Sequence, residues 1–412
     1  MSISCRRPPV VSRRWAALLL VPALGVLGAC GSSAASSAAG GAAATGSAGS
    51  GGSGGSGGGA DLPASLQLPA IEDLTGPAGY AGLDAQQGQR IAIDQINSTH
   101  FLGKTMLSLK YSDTQSTPQV AAEEASSAVN SSAPLAFGPV ESTVSLAVAP
   151  VVERGKLPTV FTQSSDAGVT EGGDYTYVVT APYQDLIGQT VGAYLKAKGI
   201  KSLGIISTTD NPGSVLSTQV LVAFCNQNGI KTYVAGDVPQ TTTDFTAIAS
   251  KTISAKPAAV FTLLYGTETV TLIRQLRADG FTGPIVGTES MAGGVLTPLG
   301  SAANGIVYFT DYSAGLTGAV NKTFTSLYAK SYGGGLPSNY AAEGYDAVWF
   351  GARALKLADS TDRTKVLAAL QSVAATGFEG AAGDITFKDR IEQGPFLLVK
   401  WENGKEVLLK TP

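Results

Sequence analysis

Ser142 and Thr143 stand where a helix is predicted to begin, directly after a Gly-Pro turn that closes an apolar run. Residues 134–165 read as strand, turn, helix and second strand, which is the order of one β-α-β unit. In such a unit the turn opens at the carboxyl edge of a parallel sheet, where ligands of open α/β folds bind. A Ser142 hydroxyl that caps this helix, together with the free N–H groups of its first turn, would suit a carboxylate. The alternative is that Ser142 only caps the helix.

Strand and helix patterns alternate along the chain on both sides of this unit. The folded body begins near Leu66, and a second alternating series starts after residues 175–179 and runs to 284–288. Such alternation is typical of parallel sheets covered by helices on both faces, and two series indicate two lobes. The closing segments GDITFKD and FLLVKWENGKEVLLK are predicted to be paired strands, with a hairpin turn at 402–405. We therefore predict an α/β fold with two doubly wound parallel-sheet lobes.

Composition excludes several classes of function. The 412 residues are 44% apolar and 14% charged, which is enough for a sizeable core, and the formal net charge of −3 lacks the clustered basic residues of a nucleic-acid surface. Cys225 is the one cysteine of the folded body, on a predominantly apolar helix, so we expect a buried structural thiol and no disulfide framework. The single histidine, His100, argues against a zinc site and against Cys/His catalysis.

The first 60 residues are predicted to serve export and attachment. Residues 1–30 carry four arginines and then an apolar segment, which is typical of a secretory signal. Residues 27–30, LGAC, resemble the lipobox of bacterial lipoproteins, in which Cys30 becomes the lipidated N-terminus; an ordinary signal with an incidental cysteine is the alternative. A Ser-Arg-Arg at 12–14 partly matches a twin-arginine motif, so the export route stays open. Residues 31–60 contain only Gly, Ser, Ala and Thr and are predicted to be a disordered tether.

From about residue 66 to 410 the chain resembles the leucine/isoleucine/valine-binding-protein family, the solute-binding proteins of ABC transporters. The resemblance is carried by TGPAGYAGLDAQQGQRIAIDQIN, YSDTQSTP, FGPVES, LPTVFTQSS, TLIRQLRADGFTGPIVGTE and NYAAEGYDAVW, in this order. It implies a periplasmic-binding-protein-like type I fold, in which three crossovers form a hinge, here near Ala181, Asp311 and Gly377. The first lobe is then 61–181 with 312–377, and the second is 182–311 with 378–412.

The resemblance also implies a binding site for an amino acid. Its carboxylate would be held by the serine of the FGPVES turn and by the loop of LPTVFTQSS, and its ammonium group by the acid of VGTES, beside an aromatic residue at the preceding strand end. The tyrosine of the first motif and the acid before the serine complete the expected contacts. The ligand-binding residues expected in this way are Tyr80, Glu141, Ser142, Gln163, Ser164, Ser165, Tyr265 and Glu289.

Departures from the family pattern weaken the expectation of a branched-chain ligand. Residues 210–213, DNPG, lack the aromatic ring that many relatives carry in the lid of the second lobe, and Val179 stands where relatives often have arginine. Glu141 and Gln163 place polar groups where branched-chain binders have smaller or apolar ones. A small amphoteric ligand, such as an amino acid or a related amide, still fits.

We therefore expect a lipid-anchored solute-binding protein outside the cytoplasm, which closes on a small molecule and delivers it to ABC permease subunits. We expect a monomer without cofactor, metal or nucleic acid, and no enzyme activity, since the motifs of nucleophile elbows, paired metal ligands and phosphate loops are missing from the sequence. The alternative is a ligand-sensing lipoprotein that signals to a membrane partner without transport. An enzyme of the doubly wound class ranks third.

The lipobox-like segment gives a direct test of the anchor. We expect Cys30→Ala, or treatment with globomycin, to move the protein from the membrane fraction to the soluble fraction, because the acyl chains attach to this cysteine. Immunoblots of fractionated cells measure the change. An unchanged distribution would contradict lipidation at Cys30.

Overall fold

The computed structural model describes residues 62–164 and 166–409. These residues all fall within one compact unit, Gly58–Pro412. The predicted signal peptide, the predicted tether, Cys30 and Ser165 lie outside the described residues and stay predictions.

Strands and helices alternate over most of the described chain. The strands are β1 (Ser65–Glu72), β2 (Met106–Asp113), β3 (Ala136–Gly138), β4 (Thr159–Phe161), β5 (Thr176–Val178), β6 (Ser202–Ser207), β7 (Lys231–Val234), β8 (Ala259–Leu263), β9 (Ile285–Gly287), β10 (Val307–Thr310), β11 (Phe378–Gly380), β12 (Gly383–Ile385), β13 (Phe387–Lys388), β14 (Ile391–Glu392), β15 (Leu397–Glu402) and β16 (Lys405–Leu409). The α-helices are α1 (Gly79–Ser98), α2 (Pro118–Val129), α3 (Ser142–Arg154), α4 (Gly168–Glu171), α5 (Tyr183–Ile187), α6 (Ala193–Ala197), α7 (Pro212–Gln227), α8 (Thr246–Ser254), α9 (Gly266–Ala278), α10 (Ala319–Ser331), α11 (Asn339–Ala358) and α12 (Arg363–Thr376).

Two seven-stranded sheets define two lobes. The sheet of the first lobe has the order β13-β14-β5-β4-β3-β1-β2, and that of the second lobe has the order β16-β15-β10-β9-β8-β6-β7. Strands β1–β5 pair in parallel with one another, as do β6–β10, and each sheet ends in an antiparallel pair. The central strands β3, β4, β8 and β9 are short and fully buried, as expected for parallel strands with helices on both faces. The predicted fold class is confirmed.

The third crossing between the lobes lies later than predicted. Near Gly377 the chain does not leave the first lobe: β11 and β12 form a small separate sheet, and β14 joins the first-lobe sheet, where Ile391 pairs with Val178. The chain crosses only between β14 and β15, so the predicted assignment of residues 378–392 to the second lobe is wrong. Strands of two or three residues are too short to show a period of two in the sequence. The hairpin of β15 and β16 is confirmed.

Helix α11 is the central helix of the first lobe, and it packs closely on α1. A Cβ atom on Gly88 would lie 1.7 Å from the carbonyl oxygen of Ala341, and one on Gly344 would lie 2.4 Å from that of Ala85. Only glycine permits this approach of the two backbones, since no larger residue fits between them. Both helices begin at the cleft between the lobes, so this packing sets the positions of the side chains in their first turns.

Buried carboxyl groups gather at the hinge. Thr180, at the first crossing, places its Oγ1 2.9 Å from Asp311 Oδ2, at the second crossing, and 3.2 Å from Glu343 Oε1 of α11. Glu392 ends β14, directly before the third crossing. The side chains of Asp311, Glu343 and Glu392 are 6%, 3% and 1% exposed. Burial raises the pKa of all three, and the neighbouring charge of Asp311 raises the pKa of Glu343 and of Glu392 further.

From the raised pKa values of these three carboxyl groups we predict how the free energy of unfolding depends on pH. A carboxyl whose pKa is raised by folding contributes stability that is complete below its unfolded pKa, about 4, and is lost as the pH rises through its folded pKa. We therefore expect the free energy of unfolding to fall between pH 5 and pH 8, measured by urea denaturation. Glu343→Gln should make the free energy of unfolding fall less steeply with pH. Each proton that the protein releases on unfolding contributes up to about 1.4 kcal/mol per pH unit to this dependence.

Glu171→Gln is the matched control, because it removes one carboxylate from an exposed site of the same lobe and should leave the slope unchanged. A free energy of unfolding that stays constant or rises from pH 5 to pH 8 in the parent protein would contradict the prediction.

Candidate functional site

A cavity of about 40 Å³ lies between the lobes, where the carboxyl edges of the two sheets face each other. Both lobes contribute polar and aromatic side chains to its walls. From the first lobe the lining residues are Pro77, Ala78, Tyr80, Ala81, Val140, Glu141, Ser142, Gln163 and Tyr340. From the second lobe they are Asn211, Gln240, Tyr265 and Glu289.

Most of the site residues expected from the sequence meet in this cavity. Those that line it are Tyr80, Glu141, Ser142, Gln163, Tyr265 and Glu289. Ser164 is buried beside Gln163 but is not part of the lining, and Ser165 lies outside the described residues. Their role in binding a ligand stays a prediction.

Three polar lining residues were not expected from the sequence: Asn211, Gln240 and Tyr340. Asn211 lies in the DNPG segment, which was noted only because it lacks an aromatic ring. Tyr340 lies in the NYAAEGYDAVW motif, so a signal for this part of the chain existed. Gln240 lies in a loop after β7 without any recognisable motif, and only the folded chain places it at the cleft.

Helix α3 presents its N-terminus to the cavity. Glu141 precedes the helix in an extended conformation, Ser142 is the first helical residue, and no side chain caps this end. The expectation that Ser142 caps the helix is therefore wrong. Its hydroxyl lies one position too late for a cap and instead lines the cavity beside the first-turn N–H groups, which have no partner within a helix.

Asp73 fixes the turn in front of α3. Its Oδ2 accepts hydrogen bonds from the backbone N–H groups of Val140, at 3.2 Å, and of Glu141, at 3.0 Å, and Thr114 donates its hydroxyl to Oδ1. Burial raises the pKa of Asp73 to about 6, although these hydrogen bonds favour the charged form. A carboxylate at the end of β1 thus holds the start of α3 at the cavity.

Gln163 adds a hydrogen-bond donor to this wall of the cavity, and Ser164 lies buried beside it. Both follow β4 and are nearly inaccessible, with Gln163 7% exposed. Gln163 Nε2 and Ser164 Oγ have no hydrogen-bond partner among the residues that the structure describes. A buried donor without an acceptor is costly, so this wall is suited to a ligand that brings one.

The second lobe supplies a negative charge, opposite in sign to the positive end of the α3 helix dipole. Glu289 follows β9, opens a short 3₁₀ turn and is 3% exposed. Tyr265 follows β8, and its hydroxyl lies 2.8 Å from Ser214 Oγ. The next residue, Gly266, has a φ of +47°, and a Cβ there would lie 3.2 Å from the ring of Tyr80 in the first lobe. The loop after β8 therefore approaches the first lobe directly across the cavity.

The cavity carries two carboxylates, Glu141 and Glu289, and its described lining includes no lysine or arginine. The described residues contain no group of three or more His, Cys, Asp or Glu side chains that could hold a metal ion. A helix N-terminus with unpaired donors on one wall and a carboxylate on the other can bind a small molecule with an acidic end and a cationic end.

A sequence model of periplasmic binding proteins matches residues 65–406. The chain belongs to this family. The match covers almost all of the described residues, and it confirms the family resemblance seen in the sequence motifs.

Relatives of this chain are binding proteins by name. The Leu/Ile/Val-binding protein BraC3 of Rhizobium johnstonii is 24% identical over 84% of this chain and 94% of its own length. The crystal structure of the leucine-binding protein LivK from Thermotoga maritima is 26% identical, with a TM-score of 0.75, over 84% of this chain and 98% of that chain. A solute-binding protein from R. palustris in complex with benzoate is 20% identical and shares the fold, with a TM-score of 0.77, over 84% of this chain and 96% of that chain.

The prediction of a binding protein of the periplasmic type is thus confirmed at the level of the family. None of the described helices is long and apolar enough to span a membrane. The solute, the lipid anchor, the monomeric state and the absence of catalysis stay predictions.

The start of α3, where no side chain caps the helix, leads to a prediction about the free energy of unfolding. Because Ser142 caps no helix, we expect Ser142→Ala to change the free energy of unfolding by less than about 0.5 kcal/mol. Asp362→Ala is the comparison, because Asp362 Oδ1 accepts from the N–H groups of Thr364 and Lys365 at the start of α12. It should cost about 1 kcal/mol. Urea denaturation measures both, and an equal loss for the two variants would contradict the structure of this helix start.

Proposed function

We propose that this protein captures a small amino acid, or a related amide or amphoteric solute, outside the cytoplasm and delivers it to an ABC importer by hinge closure. A lipidated Cys30 would hold it at the membrane. The observation that carries the proposal is the charge pattern of the cavity: unpaired donors at the start of α3 on one wall, and Glu289 on the other.

The ligand's carboxylate binds to the first lobe. The first-turn N–H groups of α3 and the Ser142 hydroxyl offer donors at the positive end of the helix dipole. Gln163 Nε2 offers a further donor, and we include Ser164 and Ser165 in this part of the site. Each of these groups gains an acceptor when a carboxylate enters, which compensates for the water that both sides lose.

The ligand's ammonium group binds to the second lobe. Glu289 is buried and therefore little screened by solvent, so its attraction for an ammonium group is stronger than at the surface. Tyr80 and Tyr265 stand on the walls beside it, where their rings suit a cation and the carbon atoms next to it. The hydroxyl of Tyr80 lies 3.3 Å from that of Tyr340, which orients both rings edge to face.

Closure of the two lobes follows because the two ends of the ligand bind to different lobes. A ligand whose two ends bind to different lobes holds the lobes together, so it stabilises the closed form over the open form. The lobes already touch beside the cavity: Asn211 Nδ2 lies 3.4 Å from Glu141 Oε1, Gln240 donates to Glu141, and Gly266 lies against the Tyr80 ring.

The charge pattern disfavours an aromatic acid such as the benzoate bound by the R. palustris protein. Such a ligand brings one negative charge and no cationic group into a cavity that holds Glu141 and Glu289. The charges of these two carboxylates repel a third carboxylate. An amphoteric solute avoids this cost because its ammonium group lies against Glu289.

Glu289→Gln tests the ammonium contact, because it keeps the shape of the side chain and removes its charge. We expect amino-acid affinity to fall about ten- to hundredfold, the cost of about 1.5 to 3 kcal/mol for one charge-assisted hydrogen bond. Calorimetry measures the affinity, with the ligand found in a thermal-shift screen of amino acids, amides and small aromatic acids.

Asp279→Asn is the matched control, since it removes an exposed charge from the same lobe and should leave the affinity unchanged. Solution scattering of the parent protein should show a smaller radius of gyration with saturating ligand. Undiminished affinity in Glu289→Gln, or identical scattering curves with and without ligand, would contradict the proposed binding mode.

A further inference from the structure

Glu141 is an expected ligand-binding residue to which the binding mode proposed above assigns no group of the ligand. It precedes α3, where a side chain would usually cap the helix, but its side chain makes no cap hydrogen bond. It lines the cavity and extends toward the second lobe, where Asn211 Nδ2 lies 3.4 Å from its Oε1. Burial raises its pKa, whereas hydrogen bonds from Thr143, Gln240 and Asn211 favour its charged form.

The two amides that face Glu141 are fixed in place by the second lobe. Asn211 caps α7: its Oδ1 accepts from the N–H of Ser214 at 3.1 Å, so its Nδ2 must point into the cleft. The backbone N–H of Gln240 donates to Asp210 Oδ1 at 3.0 Å, which anchors the loop that carries this residue. Both side-chain amides lie beside Glu141 and donate to it, and the orientation of the Asn211 amide is set by its cap contact.

The charge balance of the cavity points to a second cationic group on the ligand. When Glu289 binds the ammonium group and α3 binds the carboxylate, a neutral amino acid leaves the charge of Glu141 without compensation. Glu141 forms no ion pair with any described residue. An aliphatic side chain placed here would displace polar contacts of Glu141, Asn211 and Gln240 without replacing them, which is costly for a partly buried carboxylate.

We propose that Glu141, Asn211 and Gln240 form a subsite for a positively charged, hydrogen-bond-donating side chain, so that the preferred solute is a basic amino acid. This inference rests on the proposed amino-acid site and names the class of its ligand. Glu141 supplies the opposite charge, and the amide N–H groups of Asn211 and Gln240 donate to its carboxylate, which keeps the carboxylate in place and favours its charged form. Because two of the three residues belong to the second lobe, the subsite is complete only when the lobes close.

The test uses pairs of ligands that match in shape and differ in charge. L-2,4-diaminobutyrate is matched with L-norvaline, and L-ornithine with L-norleucine, because in each pair an ammonium group replaces a methyl group. We expect calorimetry on the parent protein to show that the basic member of at least one pair binds tenfold or more tightly. Glu141→Gln should abolish this preference, and Glu171→Gln, an exposed acid of the same lobe, should keep it.

Gln240→Glu is a second variant, which adds a carboxylate to the subsite without changing the side-chain length. It should increase the preference for the basic ligands, and it decides the matter if Glu141→Gln does not fold. Neutral members that bind as tightly as the basic ones in both pairs, or a preference that survives Glu141→Gln, would overturn the subsite and leave the amino-acid site intact. If no amino acid binds, and no amide or other amphoteric solute of the thermal-shift screen binds either, both the subsite and the proposed function are wrong.

Discussion

The hydrogen bonds of the Asp73 carboxylate hold the first-lobe wall of the cavity in place. Asp73 follows β1 directly and binds the backbone of the turn before α3 through Val140 and Glu141. A carboxylate fully buried in the lobe would be costly, and the donors of that turn and of Thr114 offset this cost. Asp73 binds N–H groups that precede the first helical residue, whereas the Glu141 side chain makes no cap hydrogen bond and extends into the cleft.

At the hinge, three carboxyl groups are buried in a different way from Asp73. Asp311, Glu343 and Glu392 come from separate parts of the chain and meet where it passes between the lobes. Burial shifts their pKa upward, so they favour the protonated form instead of an ion pair. A protonated carboxyl donates and accepts hydrogen bonds but carries no charge, and this lowers the cost of packing these side chains together.

The cavity is lined by residues from distant parts of the sequence. The packing of α1 on α11 brings Tyr80 beside Tyr340, whose rings are 5.7 Å apart. The second lobe then supplies Tyr265, Glu289 and the amides beside Glu141. Each lobe alone is an ordinary doubly wound sheet with an open carboxyl edge. The cavity exists because two such edges face each other.

The sequence by itself determined the alternation of strands and helices, the two lobes and most residues at the strand ends, because these depend on local periodicity and on turns. Only the tertiary structure decided the features that depend on contacts between residues far apart in the sequence. Strands as short as β13 and β14 carry no pattern of their own, so only their place beside β5 located the third crossing. Asn211 and Gln240 reached the cavity through the approach of the second lobe. Ser142 proved to be a helical residue because Asp73, remote in sequence, sets where α3 begins.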